Sequence, residues 1–428
     1  MHGSERRVLA SAIIGNIVEW YDFALYTAAT PLVFGQLFFA RGQDSLLVQT
    51  EPLMIFAAGF VMRPLGGLFF GALGDRHGHR AALRWTLLLI GIATALIGVL
   101  PSYARIGMMA PLLLLGLRLV QGFAAGGEWA GAVLIIGEGE TGPEDTPDRV
   151  GPTTGRGVAF ALSQSGVAAG MVLGTAALLL ARSLPGDAFL TYGWRLAFLA
   201  AVPFVALGAW LRGTPSGRPA ARTPSRPPAV MILRHCGLPL ACGIALRLAE
   251  NGGVYLMTVF ALFYGHARHI PDTWLLTGTM AGMAADGLAM PCFGWLADRI
   301  GASRVYLGGA VALAALAEPF FMLLDHGTLW SVVLAFTGGM ALCHAPMIAV
   351  EPALLARLFP RELRYSGVAM AHELGAVLAG GISPLLAAGL YRTTGGASGV
   401  AIYMTVLATV SALALWRPNA ATRVRVGR

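Results

Sequence analysis

The chain has 428 residues, of which 56% are hydrophobic and only 12% charged, and its mean hydropathy is +0.67. Water-soluble domains carry about 25% charged residues, so this balance excludes a protein whose main solvent is water. The formal charge of +8 does not require nucleic acid, since a basic face beside anionic lipid accounts for it.

A membrane-crossing helix needs ~20 mainly apolar residues. Such runs recur along nearly the whole chain, separated by short polar, Gly- or Pro-marked breaks, and they predict twelve helical spans. The first six cover residues 9–38, 49–74, 83–103, 109–137, 156–183 and 193–212. The second six cover 236–265, 272–297, 303–324, 328–357, 364–391 and 397–417.

An ionisable side chain inside hydrocarbon costs ~2.5–3.5 kcal/mol on insertion scales, so it normally faces a cavity or a partner. In the first span Asn16, Glu19, Phe23 and Tyr26 share a helix face, with Asp22 beside it. Two carboxylates this close discourage joint ionisation. Either one of them holds a proton near neutral pH, or Glu19 or Asp22 is permanently paired with an arginine. In the second span Arg63 precedes Pro64 and is expected to support the nearby loop. The fourth span repeats the one-face pattern with Arg118, Gln121 and Glu128, followed by Trp129. Arg118 offers a planar fork to a substrate carboxylate, or else neutralises an acid of the first span. Trp129 is a stacking or anchoring residue. Gln164 and the Gly166 to Gly170 stretch mark the fifth span, the glycines for close helix approach.

The seventh span carries Arg247, Glu250, Asn251, Tyr255 and Thr258, in which Arg247 and Glu250 stand at i, i+3 and either meet substrate or pair with each other. Asp286, Glu318, His344, Glu351, His372 and Glu373 are weaker signals. Each either lines a path or fills a satisfied packing role, and the histidines have the right ordinary chemistry for proton exchange. Cys236, Cys242, Cys292 and Cys343 have no metal-like or paired spacing. Arg6 and Arg7 precede an apolar stretch containing Glu19 and Asp22, which predicts a retained first helix and not a signal peptide.

All 30 basic residues are arginine. Twenty-one fall on the face where the odd-numbered spans begin, six on the opposite face (Arg41, Arg105, Arg182, Arg195, Arg268 and Arg392), and Arg63, Arg118 and Arg247 within spans. The positive-inside rule then places both termini in the cytoplasm.

The chain is also duplicated. Gly71-Ala72-Leu73-Gly74-Asp75-Arg76-His77-Gly78 after the second span matches Gly294-Trp295-Leu296-Ala297-Asp298-Arg299-Ile300-Gly301 after the eighth. Glu19, Leu25 and Thr27 are echoed by Glu250, Leu256 and Thr258, and Glu128 by Glu351. The predicted organisation is therefore an all-α membrane protein of two pseudo-symmetric six-helix halves, residues 1–211 and 235–417. A Pro- and Arg-rich cytoplasmic linker at 212–234 joins them, and 418–428 forms a cytoplasmic tail. Parallel halves of this kind place a substrate site near the membrane midplane between them.

Gly15-Asn16-Ile17-Val18-Glu19-Trp20-Tyr21-Asp22-Phe23, the paired loops, Arg118-Leu119-Val120-Gln121-Gly122 running to Gly126-Gly127-Glu128-Trp129, and Tyr192-Gly193-Trp194-Arg195 carry a more specific likeness. Together they resemble signatures of the metabolite:proton symporter family of the major facilitator superfamily. The second half, through Ala245 to Glu250 and Arg364 to Gly367, is most similar to shikimate transporters. The resemblance implies the major facilitator fold and proton-driven import across a bacterial inner membrane. The cargo it implies is a small molecule such as shikimate, 2-oxoglutarate, citrate or a betaine.

On this reading Glu19, Asp22 and Glu128 are the proton-coupling candidates. The substrate-binding candidates are Asn16, Tyr26, Arg118, Gln121, Trp129, Gln164, Arg247, Glu250, Asn251, Tyr255 and His344. The family's paired loops latch the cytoplasmic halves together, which gives Asp75, Arg76, Arg80, Asp298, Arg299 and Glu138 a gating role. Asp75 is then expected near Arg364 to Ser366, and Asp298 near the start of the fifth span. The loop departs from the family pattern at Gly78-His79-Arg80, and the stretch from Gly139 to Thr154 is longer and more acidic than expected. No metal cluster, nucleophile elbow or phosphate loop is evident, so the chain is expected not to be an enzyme and to need no cofactor beyond the coupling proton. The expected partners are substrate, proton and lipid bilayer, with no nucleic acid, and the expected state is a monomer. The open alternatives are a uniporter or exchanger, or a symporter of a zwitterion such as a betaine.

Overall fold

The computed structural model describes residues 3–39, 45–77, 79–127, 156–211, 228–360 and 363–415. These residues form twelve long helical segments and a few short helices, and no strand occurs among them. In chain order the segments are α1 (3–37), α2 (Ser45–His77), α3 (His79–Val99), α4 (Met109–Ala125), α5 (Arg156–Arg182) and α6 (189–211). The second set is α7 (237–267), α8 (Asp272–Ile300), α9 (Ala302–Asp325), α10 (329–358), α11 (364–394) and α12 (Ser398–Ala414). Each predicted span coincides with one of them, although the predicted fourth span runs on beyond the described residues. Hydrocarbon explains the exclusive use of helix, because a spanning chain must satisfy its backbone polar groups internally.

Seven segments are long and apolar enough to cross a membrane on length and composition alone: α2, α3, α5, α6, α9, α10 and α11. Among the other five, α4 and α12 are shorter apolar helices, whereas α1, α7 and α8 carry buried acids, Glu19, Asp22, Glu250 and Asp286. Leu288, Trp330, Leu180 and Ile402 instead point outward from their helices, at 78%, 80%, 71% and 66% exposure. An apolar surface of this kind is a lipid-facing one.

Glycine sets the tightest crossings. Gly166, Gly170 and Gly174 bring α5 onto α1 so closely that an added Cβ would lie 2.8, 2.6 and 2.6 Å from the carbonyl oxygens of Ile13, Ile17 and Tyr21. This is small-xxx-small packing, which membrane helices use in place of a hydrophobic driving force. Gly122 of α4 and Gly126 just beyond its end press on the backbone of Gly59 and Arg63 of α2 in the same way.

The two halves meet along α5 against α8 and along α2 against α11. At the first seam Gly287 lies over Ala168, and at the second Gly381 lies over Phe60. Five segments contain wide π-helical turns, at Thr30–Phe34, Phe189–Gly193, Leu256–Phe260, Gly339–His344 and Ala376–Ile382. Such turns often mark functional sites, and here one of them carries His344. Within the stretch read as linker, Pro228–His235 forms a short helix. Its apolar Val230-Met231-Ile232-Leu233 run buries Ile232 against the second half.

Candidate functional site

Three groups of buried ionisable side chains lie among the described residues, and each is built around one of the arginines inside the spans. The first belongs to the N-terminal half. Arg118 of α4 stands 3.9 Å from Asp22 of α1 and donates to Gln121 Oε1 at 3.3 Å. Asp22 also accepts from Gln121 Nε2 at 2.6 Å and from the hydroxyl of Thr94 on α3. The guanidinium lies over the rings of Tyr26 and Phe56, 4.4 and 5.1 Å from their centroids, so cation–π attraction supplies part of its neutralisation. Arg118 Nε and the Tyr26 hydroxyl are buried without a hydrogen-bond partner.

The second group bridges the halves. Arg63 of α2 donates to Glu373 of α11 at 2.9 Å and to Glu19 of α1 at 3.4 Å, and His372 meets the other oxygen of Glu373 at 2.9 Å. Glu19 and Asp22, adjacent on their helix, therefore face different arginines. The third group fills the C-terminal half. One nitrogen of Arg247 donates to both Glu250 and Glu351, at 2.5 and 2.7 Å. His344 lies between Glu250 at 3.2 Å and both oxygens of Asp286 at 3.0 Å.

A narrow cavity lies between the halves, bordered by Glu19, Trp20, Arg63, Gln164, Arg247, Glu250, Asn251, Tyr255, Glu351 and His372. Its free volume of about 20 Å³ holds roughly one water molecule, so an organic acid enters only once the halves move apart. Aromatic rings close it toward the N-terminal half, where Tyr255 of α7 packs on Phe23, Phe56 and Phe60 with centroids 5.1, 6.2 and 5.3 Å away. A wider cleft of about 800 Å³ opens at the face where the odd-numbered helices end, bordered by Arg182, His266, Asp272, Tyr391 and Arg392. There Arg182 of the first half meets Asp272 of the second at 3.6 Å.

The structure thus brings Glu19, Gln164, Arg247, Glu250, Asn251 and Tyr255 to one cavity, and Tyr26, Arg118, Gln121 and Asp22 to a neighbouring cluster. Asn16 is buried where α1 meets α5, its Cβ 3.1 Å from the place a Cβ of Gly166 would occupy. His344 stands behind Glu250. Glu128, Trp129 and Glu138 lie outside the described residues. Asp75, Arg76 and Arg80 fall at the α2–α3 turn and Asp298 and Arg299 at the end of α8, which is the corresponding position in the second half. Arg299 lies over the Trp295 ring at 3.8 Å.

The sequence position of Arg63 beside Pro64 points to loop support, and Asp286, Glu351 and Glu373 each allow a packing role, whereas all four are members of the networks. The duplication held a usable signal. The offset that relates Asp75 to Asp298 also relates Arg63 to Asp286 and Gln121 to His344, and the offset relating Glu19 to Glu250 relates Asn16 to Arg247. Each half therefore places polar groups at equivalent depths, but with different charges.

This is the architecture of a transporter: a twelve-helix bundle in two halves, with its ionisable residues gathered at the seam. The family model described as "Sugar (and other) transporter" matches residues 8–216, and the one described as "Major Facilitator Superfamily" matches 252–426. The chain belongs to the major facilitator superfamily. It is 35% identical to the shikimate transporter of Escherichia coli (strain K12), over 95% of this chain and 93% of that one. It is 33% identical to the glycine betaine/proline/ectoine/pipecolic acid transporter OusA of Dickeya dadantii (strain 3937), over 96% and 82%. Identity to the proline/betaine transporter of Escherichia coli (strain K12) is 32%, over 95% and 82%. Among solved structures, a D-xylose-proton symporter shares the fold with a TM-score of 0.71 at 16% identity, covering 98% of this chain and 99% of that one. The chain is a multi-pass membrane transporter and not an enzyme.

Proposed function

We propose that this protein is a proton-coupled symporter that imports a small carboxylate-bearing solute across a bacterial inner membrane by alternating access, with both termini cytoplasmic. The observation that carries the cargo assignment is the state of Arg118. The residue is 5% exposed, its Nε has no partner, and its nearest carboxylate stands 3.9 Å away and is already shared with Thr94 and Gln121. A buried charge held this loosely has bonding capacity for a further anion, and the unpartnered Tyr26 hydroxyl beside it is a second donor. A cargo carboxylate that takes both displaces Asp22 from its partial role.

The remainder of the cargo faces an aromatic wall of Phe56, Phe60 and Tyr255. A shikimate-like ring packs on such a surface. A betaine is the second reading, favoured by the seating of a guanidinium on Tyr26 and Phe56, because rings that hold one cation suit a quaternary ammonium too. Both solutes present a carboxylate, so Arg118 serves either. Coupling requires the proton and the cargo to favour the same reorientation; without that, the same fold is a uniporter or an exchanger.

Shikimate and glycine betaine binding to purified parent and Arg118→Lys tests the cargo site. The substitution keeps the charge and removes the planar fork, so affinity for the better ligand should fall roughly tenfold or more, given the ~1.5–3 kcal/mol of a charge-assisted hydrogen bond. Parental affinity in Arg118→Lys, or a best ligand without a carboxylate, contradicts the assignment.

A further inference from the structure

The C-terminal network admits a count of protons from its hydrogen bonds alone. Both ring nitrogens of His344 face carboxylate oxygens, Nδ1 those of Asp286 and Nε2 that of Glu250. With Asp286 and Glu250 both ionised, their oxygens are served only by the imidazolium, because a neutral imidazole has one N–H. Glu250 uses one oxygen on His344 and the other on Arg247, and Asp286 turns both oxygens to His344, so each is fully engaged as an anion. Arg247 and His344 then offset Glu250 and Asp286. Glu351 is the carboxyl left over.

Two further observations single out Glu351. Its Oε2 shares an Arg247 nitrogen with Glu250, which places two carboxylates side by side on one donor, an arrangement that resists joint ionisation. Its Oε1 is buried without any hydrogen-bond partner, and the residue borders the central cavity. An ionised oxygen with no donor inside a membrane is costly, whereas a protonated carboxyl places an O–H there, for which water in the cavity it borders is the acceptor. The other groups around it leave that proton unclaimed. They are Arg247 and Glu250 on α7, His344 on α10 with Glu351 itself, Tyr306 of α9, whose hydroxyl donates to the Leu246 carbonyl, and Arg63 and His372 across the cavity.

We propose that Glu351 is the carboxyl that carries the coupling proton, held neutral while Arg247 is shared with Glu250 and released to the cavity when Arg247 turns to Glu351 alone. This rests on the symport reading above and deepens it. The step moves one proton between Glu351 and water in the cavity, with Arg247 then pairing the carboxylate left behind.

Infrared spectroscopy of purified protein in lipid at neutral pH tests the assignment without any substrate. The parent should show a protonated-carboxyl C=O band that shifts when glutamate is supplied with ¹³C. Glu351→Gln should lose that band, and Glu351→Asp should keep a band that no longer responds to ¹³C-glutamate. A glutamate-sensitive band surviving in Glu351→Asp, or no protonated carboxyl in the parent, overturns the proposal. In proteoliposomes, Glu351→Gln should lower accumulation of labelled shikimate or glycine betaine driven by an acid-outside gradient at least tenfold, a larger fall than in their counterflow, which needs no net proton movement. Parental accumulation in Glu351→Gln overturns the proposal even where the infrared result stands. Failure of both labelled solutes to exchange in the parent instead removes the cargo reading and leaves the infrared result decisive for Glu351.

Discussion

At the scale of single residues, the account turns on which acid holds which arginine. Asp22 is the one described carboxylate within reach of Arg118, yet at 3.9 Å it is a loose partner, and it occupies the place a cargo carboxylate would take. Asp22→Asn should therefore have two opposite effects. Removing one member of a buried pair leaves an uncompensated charge, which is destabilising by ~3–5 kcal/mol in tight cases, so the unliganded protein should unfold at a lower temperature. The same change removes a competitor, so the rise in unfolding temperature on adding the carboxylate ligand should exceed that of the parent. A thermal-shift series in which Asp22→Asn shows a smaller ligand-induced rise would place Asp22 among the ligand's own contacts. The buried polar residues were legible in the sequence because hydrocarbon makes every ionisable group conspicuous. Their partners were not. Arg63 and Glu373 lie 310 positions apart, and Glu19 and Asp22, close in sequence, turn to different arginines, one supplied by α2 and the other by α4.

At the scale of elements, the helices were readable throughout, since ~20-residue apolar runs admit little else. The glycine spacing of α5 also announced a close crossing, though not which helix it met. That partner is α1, and the fit leaves no room for a side chain at Gly170, where an added Cβ would lie 2.6 Å from the Ile17 carbonyl. Gly170→Val should lower stability by the ~1–3 kcal/mol typical of overpacking, or more where the backbone cannot shift. Gly116→Val, on an exposed face of α4 with nothing within 4 Å of its Cβ, should be neutral. Equal thermal unfolding of the two variants in detergent would remove the tight α1–α5 crossing from the account. The π-helical turns escaped the sequence because wide turns share the apolar composition of the α-helix around them. Only Pro31 in the first of these turns, and Pro346 and Pro384 just beyond two others, marked a disturbance.

At the scale of the molecule, the Arg182–Asp272 and Arg63–Glu373 pairs link the halves, and their environments decide which one matters. Arg182 and Asp272 sit at a rim, 40% and 19% exposed in their side chains, and such pairs contribute ~0–1 kcal/mol. The Arg63 link to Glu373 is 10% and 4% exposed, where losing one partner costs several kcal/mol. Glu373→Gln should therefore loosen the closed arrangement far more than Arg182→Gln. A cysteine placed at Gln164, on the cavity wall, should be modified by a water-soluble thiol reagent at least tenfold faster in the Glu373→Gln background, and within threefold of the parent in Arg182→Gln. Equal rates in the two backgrounds would mean that the seam is held by helix packing alone. The central claim, proton-coupled import of a carboxylate-bearing solute, is tested most directly by the purified chain in proteoliposomes loaded with a pH-sensitive dye and given labelled shikimate or glycine betaine. With an acid-outside gradient the account predicts solute accumulation above the external concentration, together with acidification of the lumen that requires the solute and vanishes when the gradient is collapsed. Solute movement at the same rate and to the same level with no proton gradient, and no solute-dependent proton entry, would contradict it.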